Sequence, residues 1–205
     1  MILILNGIQN PTIVFMIIGI IMIASSMQIS DAISERQILE WSDFQKTENT
    51  SSEYDAFLSY GIKRSVDWQK IDSECSFQLV SLKSEIVIFS EKSWVKQDKK
   101  NDELLNHEQR HLDIVEIINR KGTSQFQHKM FQEIECDKNS SDKDIENKAK
   151  SIMIDFFNTI EKEHRELQHR YDHETEHGTD KIKQKEWDKK IDCLLKNVNA
   201  QLCTI

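Results

Sequence analysis

Five consecutive residues, His107-Glu108-Gln109-Arg110-His111, carry the most legible chemistry in this chain. Helical residues four apart share a face, with Cβ atoms about 6 Å apart, so the two imidazoles can clasp one metal ion. Glu108 lies beside them. In the HExxH arrangement such a carboxylate takes a proton from water and returns it to a leaving amine, while zinc polarises the scissile carbonyl. His107 and His111 are therefore the first candidate zinc ligands, and Glu108 is the candidate general base. The plain alternative is two surface histidines at helical spacing.

A catalytic zinc takes three protein ligands and keeps one position open for water. Positions 114 and 117 are Ile114 and Ile117, so no third histidine follows at the HExxHxxGxxH spacing. The remaining candidates are Glu116, His164, and Asp172, His173 or His177 within Tyr171-Asp172-His173-Glu174-Thr175-Glu176-His177-Gly178. His177 is the preferred third ligand, because a residue just past an antiparallel helix can fold back over the metal and Gly178 permits the turn. Asp172 stays open as a carboxylate alternative.

These residues need elements to position them. From Ile38 to Val95 aromatic and branched residues recur with period two. Trp41 with Phe44, Ala56 to Ile62, Phe77 to Val80 and Ile86 to Phe89 read as strands, with a polar loop from Gln45 to Glu53. After Val95 the period changes. Asp102 is placed to cap a helix running through Leu104, Leu112 and Ile118, with Gly122 as its stop. A longer helix begins near Ser141, with Asp144 three residues on. It carries Ile145, Ala149, Ile152, Phe156, Ile160, His164, Leu167 and Tyr171 as one apolar stripe, and ends in an irregular stretch from Asp172 to Gly178. A third helix holds Ile182, Trp187, Ile191 and Leu194. Strands first and helices second is an α+β order, with a mostly antiparallel sheet ahead of the HExxH helix and two further helices.

Composition narrows the function classes. With 27 basic and 35 acidic side chains in 205 residues the net charge is -8, which gives no broad basic field for a phosphate backbone, so nucleic acid is not an expected partner. Residues 1 to 30 carry no Asp, Glu, Lys or Arg. The apolar run Ile13 to Ala24 is short for a bilayer span but suits the core of a secretory signal, and Ala24 with Ser26, or Ser30 with Ala32, offers cleavage positions. The expectation is a signal peptide or N-terminal membrane anchor over residues 1 to 32 and a single domain over 33 to 205. The protein would be secreted or periplasmic, touching membrane only if the segment stays uncleaved. Cys75, Cys136, Cys193 and Cys203 would then permit two disulfides in three pairings, with free buried thiols as the alternative.

The stretch Leu104 to Glu116, together with Tyr171-Asp172, Thr175, His177-Gly178, Gln184 and Trp187, resembles a bacterial family of predicted secreted zinc-dependent proteases, a domain of unknown function in the zincin metallopeptidase clan. Trp41-Ser42-Asp43-Phe44 and Ser93-Trp94-Val95 resemble that family's first strand and the strand leading to its HExxH helix. The likeness spans about Leu39 to Ile191. It implies a zincin-like fold, one catalytic zinc on His107 and His111, and Glu108 as general base. The family's YDxxTxHG segment matches from Tyr171 to Gly178, which favours His177 as third ligand and leaves Asp172 open. Family members commonly carry a small residue where Arg110 stands, so a cation there would restrict the cleft or mark an altered substrate.

The leading functional expectation is an exported zinc hydrolase, a peptidase acting on peptide or protein, with the strand ending at Val95 as an edge to which an extended substrate pairs. A second class is a non-catalytic secreted or envelope-associated binding module on the same fold, which would have no use for Glu108. A third is a helical interaction module using the 145 to 171 stripe, although such stripes more often face a core.

Overall fold

The computed structural model describes residues 36–71, 76–198, 200 and 203. The apolar run from Ile13 to Ala24, its cleavage positions and Cys75 lie outside these residues. Among the described residues no helix is long and apolar enough to cross a membrane. The described chain is α+β. Strands β1 (Ala56–Phe57), β2 (Tyr60–Lys70), β3 (Ser76–Ile88) and β4 (Trp94–Val95) precede helix α1 (Asp102–Gln127), and β5 (Ile134–Glu135), α2 (Asp142–Thr175) and α3 (Lys181–Lys196) follow.

All strand pairings are antiparallel: β2 lies beside β3 and β3 beside β5, while β1 and β4 form a separate two-stranded ribbon. The apolar runs expected at 77–80 and 86–89 fall in one long β3 instead of two strands, with Phe89 just past its end. Its polar middle pairs with β2 through Ser84 opposite Arg64 and Lys83 opposite Ser65. Trp41 and Phe44 do not form a strand either. Trp41–Asp43 is a 3-10 turn, closed where the Glu40 N–H donates to the Asp43 carboxylate at 2.9 Å.

Helix α1 is buried along both sides. Ile114, Ile117 and Ile118 join Phe77, Leu79, Phe157 and Trp187 in one apolar cluster, whereas Leu112 and Val115 join Leu39, Phe44, Leu58 and Val95 in another. Each fully buried aliphatic side chain contributes about 1.5–3 kcal/mol, so any shift of α1 costs contacts on two faces at once. The HExxH helix is therefore held from both sides.

Asn101, not Asp102, caps α1, accepting the Leu104 N–H at 2.9 Å. The helix does not stop at Gly122. A Cβ there would lie 2.9 Å from Cε1 of Phe157, so this glycine serves the close approach of α2. The start of α2 follows the expected pattern, Ser141 and Asp144 forming a reciprocal capping box. Met153 and Phe157 join the expected Ile152 and Phe156, which are half-buried against the same core, and the helix continues past Tyr171 to Thr175. Contacts between residues 107 and 172, 111 and 168, and 122 and 157 run in opposite directions along α1 and α2, so the two helices are antiparallel. Cys193 is disulfide-bonded to Cys203, and Cys136 is also in a disulfide, which removes the free-thiol alternative for these three.

Candidate metal centre

The antiparallel pairing of α1 and α2 brings His107, His111 and Asp172 together. His107 Nε2 lies 3.2 Å from His111 Nε2 and 3.2 Å from Asp172 Oδ1, and His111 Nε2 lies 2.9 Å from the same oxygen. Zinc ligands at about 2.0–2.1 Å in a tetrahedron stand about 3.3 Å apart, so the three donor atoms already have the spacing of one face of such a site.

Two glutamines fix which imidazole nitrogens are protonated. Gln168 Nε2 donates to the backbone carbonyl of His111 at 3.0 Å, which turns its Oε1 toward His111 Nδ1 at 2.5 Å. Gln184 Nε2 donates to Asp188 Oδ1 at 2.9 Å, which turns its Oε1 toward His107 Nδ1 at 3.2 Å. An amide oxygen only accepts, so in both rings Nδ1 carries a proton, and Nε2 faces the Asp172 carboxylate, to which it donates when the ring is charged and beside which it offers a lone pair when the ring is neutral. Both Nε2 atoms and a carboxylate oxygen thus converge on one point, with no Lys or Arg among the cleft-lining residues. That donor set of two imidazoles and a carboxylate could hold a metal ion.

The group lies on the floor of a cleft of about 600 Å³ that Glu108 and Tyr60 also line. Burial raises the Glu108 carboxyl pKa, partly offset by the neighbouring His111 and His107. Burial pushes His111 down, but the Asp172 hydrogen bond and the Glu108 charge carry it above its ordinary value. Burial likewise pushes Asp172 up, and hydrogen bonds from His107 and His111 outweigh that and hold it well below the usual carboxylate range.

The sequence-expected residues separate clearly. His107, His111 and Glu108 meet, and Asp172 takes the place beside them because α2 extends one turn further than its apolar stripe. His177 stands at the rim, 54% exposed, with Nδ1 3.5 Å from Asp172 Oδ1 and its ring edge-on to Tyr54. It is outside the three-residue group. Glu116 accepts from Arg120 at 2.6 Å, His164 is turned to the Tyr60 hydroxyl at 3.2 Å, and His173 is exposed.

Other residues of the 171–178 segment also gain physical reasons. Tyr171 stacks on His107 with ring centres 4.8 Å apart, and Thr175 Oγ1 donates to the Tyr171 carbonyl at 2.8 Å. Glu176 and His177 hold left-handed conformations at φ 48° and 54°, followed by Gly178 at 82°. Left-handed backbone at non-glycine residues costs about 1–3 kcal/mol and persists only where the surroundings enforce it. Here the tight turn sets Gly178 against the His107 ring.

Two expectations about the cleft are corrected. Arg110 does not restrict it: its guanidinium faces α3, binding Asp188 at 3.0 Å and Asp192 at 2.6 Å, and it also holds Asp113 at 3.0 Å. The cleft wall is the segment from Glu53 to Leu58, which contains β1, and not β4, whose Trp94 and Val95 are buried against β1. Gln168 was missed because its role depends on the antiparallel packing that sets it against His111 of α1. Gln168 and Asp172, four apart, mirror His111 and His107, four apart, on the opposing helix.

Comparison with known proteins finds no matching family model, no matching curated protein and no matching solved structure.

Proposed function

We propose that the chain is an exported zinc-dependent hydrolase, a peptidase with a zincin-like fold akin to the secreted protease family its motifs resemble. The observation that carries this reading is the convergence of His107 Nε2, His111 Nε2 and Asp172 Oδ1 at 2.9–3.2 Å on a cleft floor that Glu108 shares. His107, His111 and Asp172 would hold the ion. Bound zinc supplies a lowered water pKa and polarisation of a carbonyl. Glu108 then does the proton work: its raised pKa suits a carboxyl that accepts a proton from water and later gives it to the leaving amine. A structural metal site would gain nothing from a buried, unpaired carboxylate beside it, which disfavours the binding-module reading.

The cleft wall supports a peptide substrate. The Lys96 N–H donates to the Asp55 carbonyl at 2.9 Å, and Ala56 faces Val95 across the ribbon. By antiparallel alternation the backbone groups of Ala56 and Leu58 turn away from β4, toward an edge that an extended chain can pair with. The test is zinc content per chain of the purified full-length protein, together with cleavage of a mixed denatured-protein substrate by wild type and Glu108→Gln. We expect about one zinc in both, and a loss of turnover of about 10²- to 10⁴-fold in the variant. Zinc-free wild type, or equal activity in both, overturns the proposal.

A further inference from the structure

The residues behind the two imidazoles are neutral amides, one from each flanking helix, where metal-bound histidines are often backed by carboxylates. We infer that Gln168 and Gln184 are positioning residues that lock both rings in the Nδ1–H tautomer and aim their Nε2 lone pairs at a single point; the inference rests on the metal reading above. Each amide is itself held on its donor side, which is what makes the lock directional. Gln168 is anchored on the backbone of the helix that carries its histidine, through the His111 carbonyl at 3.0 Å, and also lies 3.2 Å from the Tyr60 hydroxyl.

Gln184 is anchored on Asp188, whose Oδ1 also accepts from Arg110 Nε at 3.0 Å. Arg110 belongs to the same motif as His107 and projects to the other helix. The chain of contacts Arg110, Asp188, Gln184, His107 therefore leaves α1, crosses α3 and returns to α1. It ties the orientation of one ligand to the seating of α3. Tyr171 completes the cradle, its hydroxyl 2.8 Å from Gln184 Nε2 and its ring stacked on His107. A neutral acceptor has a second effect. It adds no charge, so the ligand set keeps a single formal negative charge, on Asp172.

Gln168 gives the sharper test because it sits nearer the cleft, and Gln184, only 6% exposed, is the supporting one. The probe is Co²⁺ or Zn²⁺ alone, with affinity measured by chelator competition and ligand geometry by the Co²⁺ d–d spectrum of the full chain. Gln168→Leu, which removes the acceptor, should weaken binding about 10- to 100-fold and alter the spectrum, and Gln168→Glu, which keeps an acceptor at Nδ1 but loses the donor anchored on the His111 carbonyl, should lose clearly less. Gln184→Leu should weaken binding in the same way. Unchanged affinity and spectrum in Gln168→Leu, or equal losses in the Leu and Glu variants, would overturn the positioning role while wild type still binds metal. If wild type binds neither ion, the metal reading falls first and the inference falls with it.

Discussion

Gly178 lies against the imidazole of His107, so close that a Cβ at that position would fall 2.9 Å from the ring's Cγ and 3.1 Å from Nδ1. The ring cannot retreat freely, because Tyr171 stacks on its plane and Gln184 holds Nδ1. Gly178→Ala should therefore move the His107 ring and weaken metal binding. The left-handed φ of 82° adds a backbone penalty of about 1 kcal/mol or more for any side chain. The expected outcome is a lower melting temperature together with a metal affinity reduced at least tenfold in chelator competition. An alanine variant that is merely less stable but binds metal normally would show that the turn, and not the ring contact, requires the glycine.

Asp172 and His177 divide the roles that a sequence reading leaves open. Asp172 Oδ1 stands within 3.2 Å of both imidazole Nε2 atoms, whereas His177 meets Asp172 and Tyr54 and is half exposed. Asp172→Ala should empty the site, since two imidazoles from one helix hold an ion on one side only. His177→Ala should keep most of the metal and lower turnover, as expected of a rim group that meets substrate or a developing oxyanion. Metal content and kcat measured on both variants separate the assignments. Loss of metal in His177→Ala with retention in Asp172→Ala would reverse them.

How much of this was readable from residues alone depends on the range of the interaction that decides each feature. Local signals held: the HExxH face, the Ser141 capping box and the change from period two to helical spacing all depend on neighbours within a few positions. Features set by other elements did not. Gly122 looks like a helix stop until Phe157 is seen to need its missing Cβ. Trp41 and Phe44 look like strand residues until the turn at Glu40 and Asp43 is closed. The third member of the metal group depended on one extra turn of α2. Its apolar stripe ends at Tyr171, and only the contact with α1 gives Asp172 a reason to be helical. Arg110, read as a cleft residue by its place in the motif, turns the other way because three aspartates wait for it.

Acidity should separate the metal-free and metal-loaded forms. Without metal, Asp172 is depressed below its unfolded value of about 3.9, so the stability it contributes is present above that pH and lost as pH falls further. His111 is raised above its unfolded value of about 6.5, so its contribution is complete below that pH and disappears as pH rises through the folded value. Glu108 is raised as well, and its ionisation while buried costs stability as pH climbs above about 4.3. Both raised groups therefore weaken the metal-free fold at alkaline pH. A bound cation takes the place of the proton that His111 Nε2 directs at Asp172, so the gain in melting temperature on adding zinc should be larger at pH 8 than at pH 5.5. A gain that is flat or falls over that range would count against the three-residue metal group.

Arg110 offers a test in which stability and catalysis should part company. Its guanidinium is almost fully buried and bonds Asp188, Asp192 and Asp113, and Asp113 in turn takes a two-pronged contact from Arg36 at 2.7 Å for each nitrogen. Arg110→Ala would leave Asp113 buried with Arg36 and the Gln109 amide but without its second guanidinium, and would release α3 from α1. Removing one partner of such a network costs about 3 kcal/mol or more, well beyond the value of an exposed ion pair. Because the side chain points away from the cleft, KM for a peptide substrate should change little. The metal affinity should fall modestly, through the loosened Asp188 and Gln184. Arg110→Lys should recover only part of the stability, since an ammonium cannot reproduce the fork that reaches three carboxylates from one plane. Chemical denaturation of both variants, with KM measured under conditions where each is folded, checks the division. A large KM change with little loss of stability would return Arg110 to the substrate cleft.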